Sequence, residues 1–324
     1  MMIYLDHAAT SFPKAPDVAE AVALFLNQAA GNPGRGGHRL TVAASRVVEG
    51  AREDVASLLG GDPERTVFGP GATFWINAVL ASKLNAGDRV VTTSLEHNAV
   101  MRPLRWYEKK RRIKLVTIKG KSPDGVPSTD EIVASVTRAP TSLVIMTHAS
   151  NVNGAVMPVA EVAQAVSPVP VLVDAAQTAG CLPIDFAKTG AAALVASGHK
   201  GLLGPTGIGV EAIHKHGRQL LQRLVDGFRG VPGVYLHGWN PDTPRVNILS
   251  FTMRGKDNGE LAAWLDRKHG IMVRAGLHCA PSAHQRLETF PNGTIRVGIG
   301  PFNTEADIDA LIEAVFDAYE NGIE

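Results

Sequence analysis

Along the first two thirds of the chain, apolar residues collect in short unbroken runs; along the last third they take up mixed helical and strand spacing. The runs at 89–91, 142–146, 169–173 and 193–196 are too short for buried helices and show no polar alternation, which predicts strands buried on both faces. Helical spacing at 74–84, 128–136 and 159–166 predicts crossovers between them, and the alternation implies an α/β fold with a mostly parallel sheet. A hairpin-like stretch occupies 201–209. Beyond it, a helix near 218–228, strands at 233–236 and 246–251, a helix from about Glu260, a strand at 271–273 and an amphipathic helix at 304–319 predict a smaller α+β lobe. The chain has 324 residues, more than one core usually supports. The expected division is therefore a large domain at 1–212, whose first 14 or so residues pack on the other lobe, and a small C-terminal domain at 213–324.

The residues just beyond each buried run turn the picture from fold to chemistry. The strands hand over to Glu96-His97-Asn98, His148-Ala149-Ser150-Asn151, Asp174-Ala175-Ala176-Gln177 and Ser197-Gly198-His199-Lys200. In open α/β sheets ligands bind beyond the carboxyl ends of the strands, so these polar residues are expected to line one cleft.

Composition narrows the class. Hydrophobic residues at 45% and charged residues at 19% suit a packed globular protein. A net charge of +1 provides no broad field for nucleic acid, and Lys109-Lys110-Arg111-Arg112 reads as a solvated helix end. No apolar run approaches the roughly 20 residues of a membrane span, and the N-terminus lacks the pattern of an export signal. Two cysteines, Cys181 and Cys279, make no disulfide framework, so a reducing, cytoplasmic setting is expected.

Lys200 stands at the end of a glycine-containing turn, where a deprotonated amine can attack an aldehyde to form an imine. Asp174 ends a buried run, where a carboxylate needs a cation or else caps a helix. The protonated pyridine nitrogen of pyridoxal 5′-phosphate would supply that cation, and the ring would act as an electron sink. Gly69-Pro70-Gly71-Ala72-Thr73 comes after a short strand expected at 66–68 and opens a helix at Phe74, whose free amide hydrogens and dipole suit a phosphate. The dinucleotide glycine pattern and the P-loop are absent. His214-Lys215-His216 places its histidines on different sides of a helix, so no metal site is expected.

These motifs, with Gly204-Pro205-Thr206-Gly207-Ile208-Gly209 and Arg274-Ala275-Gly276-Leu277-His278-Cys279-Ala280, occur in one order from Tyr4-Leu5-Asp6-His7 to Phe302-Asn303-Thr304. The set resembles the class V aminotransferase family, and within it the cysteine desulfurase and selenocysteine lyase branch. The resemblance implies a pyridoxal phosphate enzyme of aminotransferase fold type I. In it Lys200 carries the cofactor as a Schiff base and moves the substrate α-proton, Asp174 pairs with the pyridine nitrogen, and His97 stacks on the ring. Gln177 would meet the phenolic oxygen, Asn151 would lie between that oxygen and the substrate, and Ala72, Thr73, Ser197 and His199 would surround the phosphate.

The same resemblance makes Cys279 the acceptor of sulfur from L-cysteine, leaving alanine and an enzyme persulfide, with His278 as a neighbour that favours the thiolate. Arg296 would grip the substrate carboxylate, supported by Arg274, and Arg35 and His38 would lie in a substrate loop. Cys181 reads as structural. A homodimer and a sulfur-acceptor protein are the implied partners. Selenocysteine cleavage, transamination and epimerisation fit the same resemblance. One departure bears on all of these. Gly209-Val210 runs almost directly into the next helix, where family members carry several dozen more residues, including a Gly-Gly-Ser/Thr loop that reaches the other subunit's phosphate. That gap also admits a non-catalytic binding or scaffold protein.

Overall fold

The structure, a computed structural model, describes residues 2–34, 38–203 and 210–323, with residues 210–217 described as backbone only. Strand β1 (Ile3–Tyr4) precedes helices α1 (Val18–Gln28), α2 (Arg39–Leu59) and α3 (Ala72–Lys83). Five strands then alternate with helices: β2 (Arg89–Thr93), α4 (Asn98–Arg111), β3 (Lys114–Ile118), α5 (Thr129–Thr137), β4 (Leu143–Thr147), α6 (Val159–Ala165), β5 (Val171–Asp174), α7 (Phe186–Thr189) and β6 (Ala193–Val195). The rest comprises α8 (Val210–Arg229), β7 (Val234–His237), β8 (Ile248–Met253), α9 (Asn258–His269), β9 (Ile271–Met272), β10 (Arg274–Gly276), α10 (Pro281–Arg286), β11 (Thr294–Gly298) and α11 (Glu305–Glu320).

Every residue of β2, β4 and β5 is buried, because their parallel sheet is covered by helices on both faces. Its order is β3-β2-β4-β5-β6. Neighbours β2 and β4 are not consecutive in sequence, so the crossovers leave this pair in opposite directions and open a crevice at its carboxyl end. A second, antiparallel sheet, β10-β11-β8-β7, packs with α8, α9 and α11 around Leu224, Phe228, Phe251, Leu265 and Leu311. Ile3 and Leu5 belong to this second core, and β1 pairs in parallel with β9, Ile3 opposite Ile271. The N-terminus thus closes on the far lobe.

Local chemistry accounts for most element ends. Ser128 and Thr304 form capping boxes with Glu131 and Asp307 at the starts of α5 and α11. Lys109, Lys110 and Arg111 fill the last turn of α4, where cations favour the helix dipole. The strand expected at 66–68 does not form. A short 3-10 turn (Pro63–Arg65) ends at Thr66, and Val67 and Phe68 are exposed, with no neighbouring strand to pair with. Helix α3 begins at Ala72, two residues before the expected start, because Gly71 with φ of 92° sets the chain up for the first turn. The Gly204–Gly209 motif and Arg35 lie outside the described residues, as do the side chains of His214, Lys215 and His216. No described helix is long and apolar enough to cross a membrane, and no group of three potential metal ligands occurs among the described residues.

Candidate active site

A cavity of about 230 Å3 lies at the carboxyl end of the parallel sheet, closed from above by the second lobe. It brings together Lys200, Cys279, His97, Ala72, Thr73, Asn151, Asp174, Gln177, Ser197, His199 and Arg296. His38 is not among its lining residues: its ring caps α2 by accepting the Thr41 amide hydrogen at Nδ1 (3.4 Å). A shallower groove of about 400 Å3 between α8 and α11 has only Glu313, Asp317 and Glu320 as titratable lining residues, and no lysine or cysteine.

Asp174, the last residue of β5, is buried, and one carboxylate oxygen accepts the Ala176 amide hydrogen (3.0 Å) in a turn rather than a helix. Desolvation raises its pKa, opposed by the Ala176 amide and by the charge of Lys200. Lys200 is pushed the other way. Burial lowers its pKa below the usual lysine range, Asp174 opposes this, and Arg296 and Arg274 add to the lowering. More of its amine is therefore uncharged than for a surface lysine.

His97 caps α4 through Nδ1, which accepts the Ala99 amide hydrogen (3.0 Å). Burial and then the charge of Lys200 lower its pKa to about 4, so at neutral pH the proton sits on Nε2. At the start of α3 the N-cap Gly71 offers no side-chain acceptor, which leaves the first-turn amides beside Ala72 and Thr73 without a cap. Gln177 is held by the Ala8 carbonyl (3.0 Å), and the His199 ring lies 3.2 Å from the Thr10 hydroxyl.

The opposite wall comes from the second sheet. Arg296 is only 2% exposed; it donates to Asp6 Oδ1 (2.7 Å) and to the Asn151 carbonyl (3.0 Å), while its Nε has no partner among the described residues. Arg274 stands opposite Arg296 in the β10–β11 register and brings Nη2 to 4.0 Å from Cys279 Sγ. Cys279 is exposed, and it and His278 both have positive φ, 56° and 49°. For non-glycine residues this backbone costs roughly 1–3 kcal/mol each, so other contacts must hold it. The Asn98 amide donates to the Cys279 carbonyl (2.7 Å) and Asn151 Nδ2 to the His278 carbonyl (2.7 Å).

Two assignments change. His278 is no donor to the thiolate: its ring is buried, faces the Arg274 carbonyl (3.1 Å) and His284 Nε2 (3.2 Å), and burial with the charge of Arg296 lowers its pKa to about 3. Arg274 is the cation beside Cys279. Glu96, given no role by its sequence context, is fully buried, with Oε1 accepting from the Thr93 hydroxyl (2.6 Å) and the Thr147 amide (3.1 Å). Burial, opposed by those bonds and reinforced by Asp174, pushes its pKa up to about 8. At neutral pH it is a protonated acid behind Asp174.

The family model for aminotransferase class V matches residues 3–211 and 208–311, two pieces that meet at the shortened segment. The chain belongs to that family, whose members use pyridoxal phosphate. Among its relatives, a probable cysteine desulfurase of Methanothermobacter thermautotrophicus is 28% identical over 381 residues, covering 97% of this chain and 94% of the relative. One of Aeropyrum pernix is 29% identical over 394 residues, covering 97% and 93%. Both alignments are longer than the 324-residue chain, as gaps opposite missing residues require. Among solved structures, the apo cysteine desulfurase of Thermococcus onnurineus superposes with a TM-score of 0.91 at 25% identity, covering 98% of this chain and 95% of that one. A cysteine desulfurase of Escherichia coli gives 0.84 at 25% identity, covering 98% and 94%.

The cavity fits the family's cofactor. It holds a buried carboxylate in need of a cation, an amine depressed by burial, an uncapped helix start for an anion and a flat neutral imidazole.

Proposed function

We propose that this chain is a pyridoxal phosphate-dependent cysteine desulfurase that converts L-cysteine to L-alanine and takes the sulfur onto Cys279. The observation that carries this reading is that Cys279 opens onto the same cavity as Lys200 and Arg296. When bound, the cofactor supplies an aldehyde for an amine and a cationic ring that withdraws electrons from the substrate Cα. Asp174 would hold the ring nitrogen, His97 the ring face and Gln177 and Asn151 the ring oxygen. The phosphate would rest on the first turn of α3 at Ala72 and Thr73, with Ser197 and His199.

Lys200, with its depressed pKa, takes the proton from the substrate Cα and returns it. Arg296, a lining residue of the cavity, orients the substrate carboxylate. The Cys279 thiolate attacks the substrate sulfur: the S–S bond forms, the substrate C–S bond breaks, and its electron pair stays on Cβ, which is protonated to give alanine. Both sulfurs are oxidised to the persulfide level as that carbon is reduced. Arg274 sits where it can stabilise the attacking thiolate.

From its exposed position the persulfide passes its sulfur to an acceptor protein in the cytoplasm. Residues 1–212 and 213–324 act as large and small domains of a homodimer. Helix α1 buries none of its residues in the single chain, and Val22, Leu24 and Leu26 are more than half exposed, as expected of a face that a second copy covers. Sedimentation should give a dimer. Purified protein with pyridoxal phosphate should release alanine from cysteine, with selenocysteine run in parallel. A protein that binds the cofactor and yields no alanine from either would end the desulfurase reading.

A further inference from the structure

Behind Cys279 the structure contains a line of hydrogen-bonded groups that the sulfur transfer does not use. His278 Nε2 lies 3.1 Å from the Arg274 carbonyl, which can only accept, so this nitrogen bears the proton. With a neutral ring, His278 Nδ1 is then an acceptor, and the His284 Nε2 at 3.2 Å must be the donor. His284 Nδ1 is left as an acceptor for the Thr289 hydroxyl at 2.7 Å. The order that satisfies these contacts together is Thr289 donating to His284, His284 to His278, and His278 to Arg274. His284 is fully buried and His278 and Thr289 nearly so, so no water competes for these groups. Burial keeps both rings neutral, with His278 lowered to about 3 and His284 to about 4.

The line joins three elements. Thr289 lies just past α10, His284 lies on α10, and Arg274 starts β10; between them stands the left-handed pair His278–Cys279. Two non-glycine residues in this conformation relax unless something holds the ring of the first, and the pair's carbonyls are each held by only one further bond, from Asn151 and Asn98.

We propose that His284, backed by Thr289, is a positioning residue for Cys279: it sets the tautomer and orientation of the His278 ring and so keeps the strained His278–Cys279 backbone, and the thiol, at the mouth of the cavity. The kinetic part of this inference rests on the desulfurase reading; the structural part does not. His284 touches neither substrate nor cofactor; it acts on the loop through His278 and through a bond to the Leu277 backbone.

The test compares His284→Leu with His284→Gln in the full-length protein loaded with pyridoxal phosphate. The Gln amide can still donate to His278 Nδ1; Leu fills the space and cannot. Hydrogen exchange reads the loop directly, at the Ala280 amide bonded to the Leu277 carbonyl (2.8 Å) and at the Asn98 amide bonded to the Cys279 carbonyl (2.7 Å). In the Leu variant both should exchange about tenfold faster, as expected for one lost buried hydrogen bond, and in the Gln variant they should stay near wild type. In turnover, kcat should fall about 10- to 100-fold in the Leu variant with KM little changed, and recover with Gln. The yellow cofactor band should persist in both. Unchanged exchange in the Leu variant overturns the proposal, as does a Gln variant no better than Leu. Should the Leu protein fail to fold, Thr289→Val removes the far donor and should loosen the same two amides to a smaller degree; unchanged exchange there also overturns it. If wild-type protein releases no alanine, the desulfurase reading fails and the exchange result still decides the role of His284.

Discussion

The carboxyl edge of the parallel sheet presents its chemistry within a few residues of strands buried on every side, whereas the facing wall presents Cys279 from a strained loop beside an antiparallel sheet. On the first side, Asp174, His97 and Lys200 stand in fixed mutual fields, each pKa displaced first by burial and then by neighbouring charges. On the second, Arg274, Arg296 and Cys279 meet only because residues far apart in sequence are tied together, as Asp6 and Arg296 are across 290 positions. On the proposed function, one wall would hold a ring and its charge and the other would bring a sulfur atom to it. Damage to the first should therefore remove cofactor and activity together, and damage to the second activity alone.

Cys279→Ala gives the largest separation: alanine release should fall by at least about 1,000-fold while the cofactor absorbance is unchanged. Lys200→Ala should abolish both that band and turnover, and a variant that kept the band would contradict the division between the walls. Asp174→Asn should weaken retention of pyridoxal phosphate roughly 30-fold or more, the loss expected when one partner of a buried charge pair is removed, measured by equilibrium dialysis.

Glu96→Gln sharpens the comparison within the sheet edge. The folded-state pKa of Glu96 is raised to about 8 from an ordinary 4.5, so between these values the unfolded chain releases a proton that the folded chain keeps. Wild-type stability should fall as pH rises through this window, and the Gln variant should lack that component. Thermal melts at pH 5 and pH 8 should differ between the proteins by on the order of a few kcal/mol, with the variant gaining at pH 8. Asp174 lies nearby and Lys200 and His97 line the same cavity, so the comparison is made in apo-protein, where the cofactor adds no charge.

The smallest effect is expected at the other thiol. Burial pushes the Cys181 pKa up to about 11, although the residue keeps part of its surface exposed. Cys181→Ala should leave alanine release nearly unchanged, and iodoacetamide should label Cys181 at least about tenfold more slowly than Cys279.

Legibility in the sequence divides along the same line as the two walls. The sheet strands could be read as apolar runs, and Glu96-His97, Asn151, Asp174 and Lys200 as the residues just beyond them, because parallel strands buried on both faces leave polar groups nowhere to stand but the ends. A strand at 66–68 was equally plausible from local propensity and fails because no partner reaches it. His38 sits in a loop of suitable composition, yet the ring is taken by a helix cap. Glu96 was visible as a residue but not as a neutral acid, since only its enclosure removes the charge.

The sequence by itself determined the alternation of strands and helices, which polar residues stand at the strand ends, and the family to which the chain belongs. Only the tertiary structure decided that Arg274 rather than His278 stands beside the thiol, that Asp6 holds Arg296, and that His284 lies behind the Cys279 loop. The reason is physical: strand ends are set by local hydrophobic pattern, whereas contacts between remote residues depend on how two lobes pack, which no local pattern encodes.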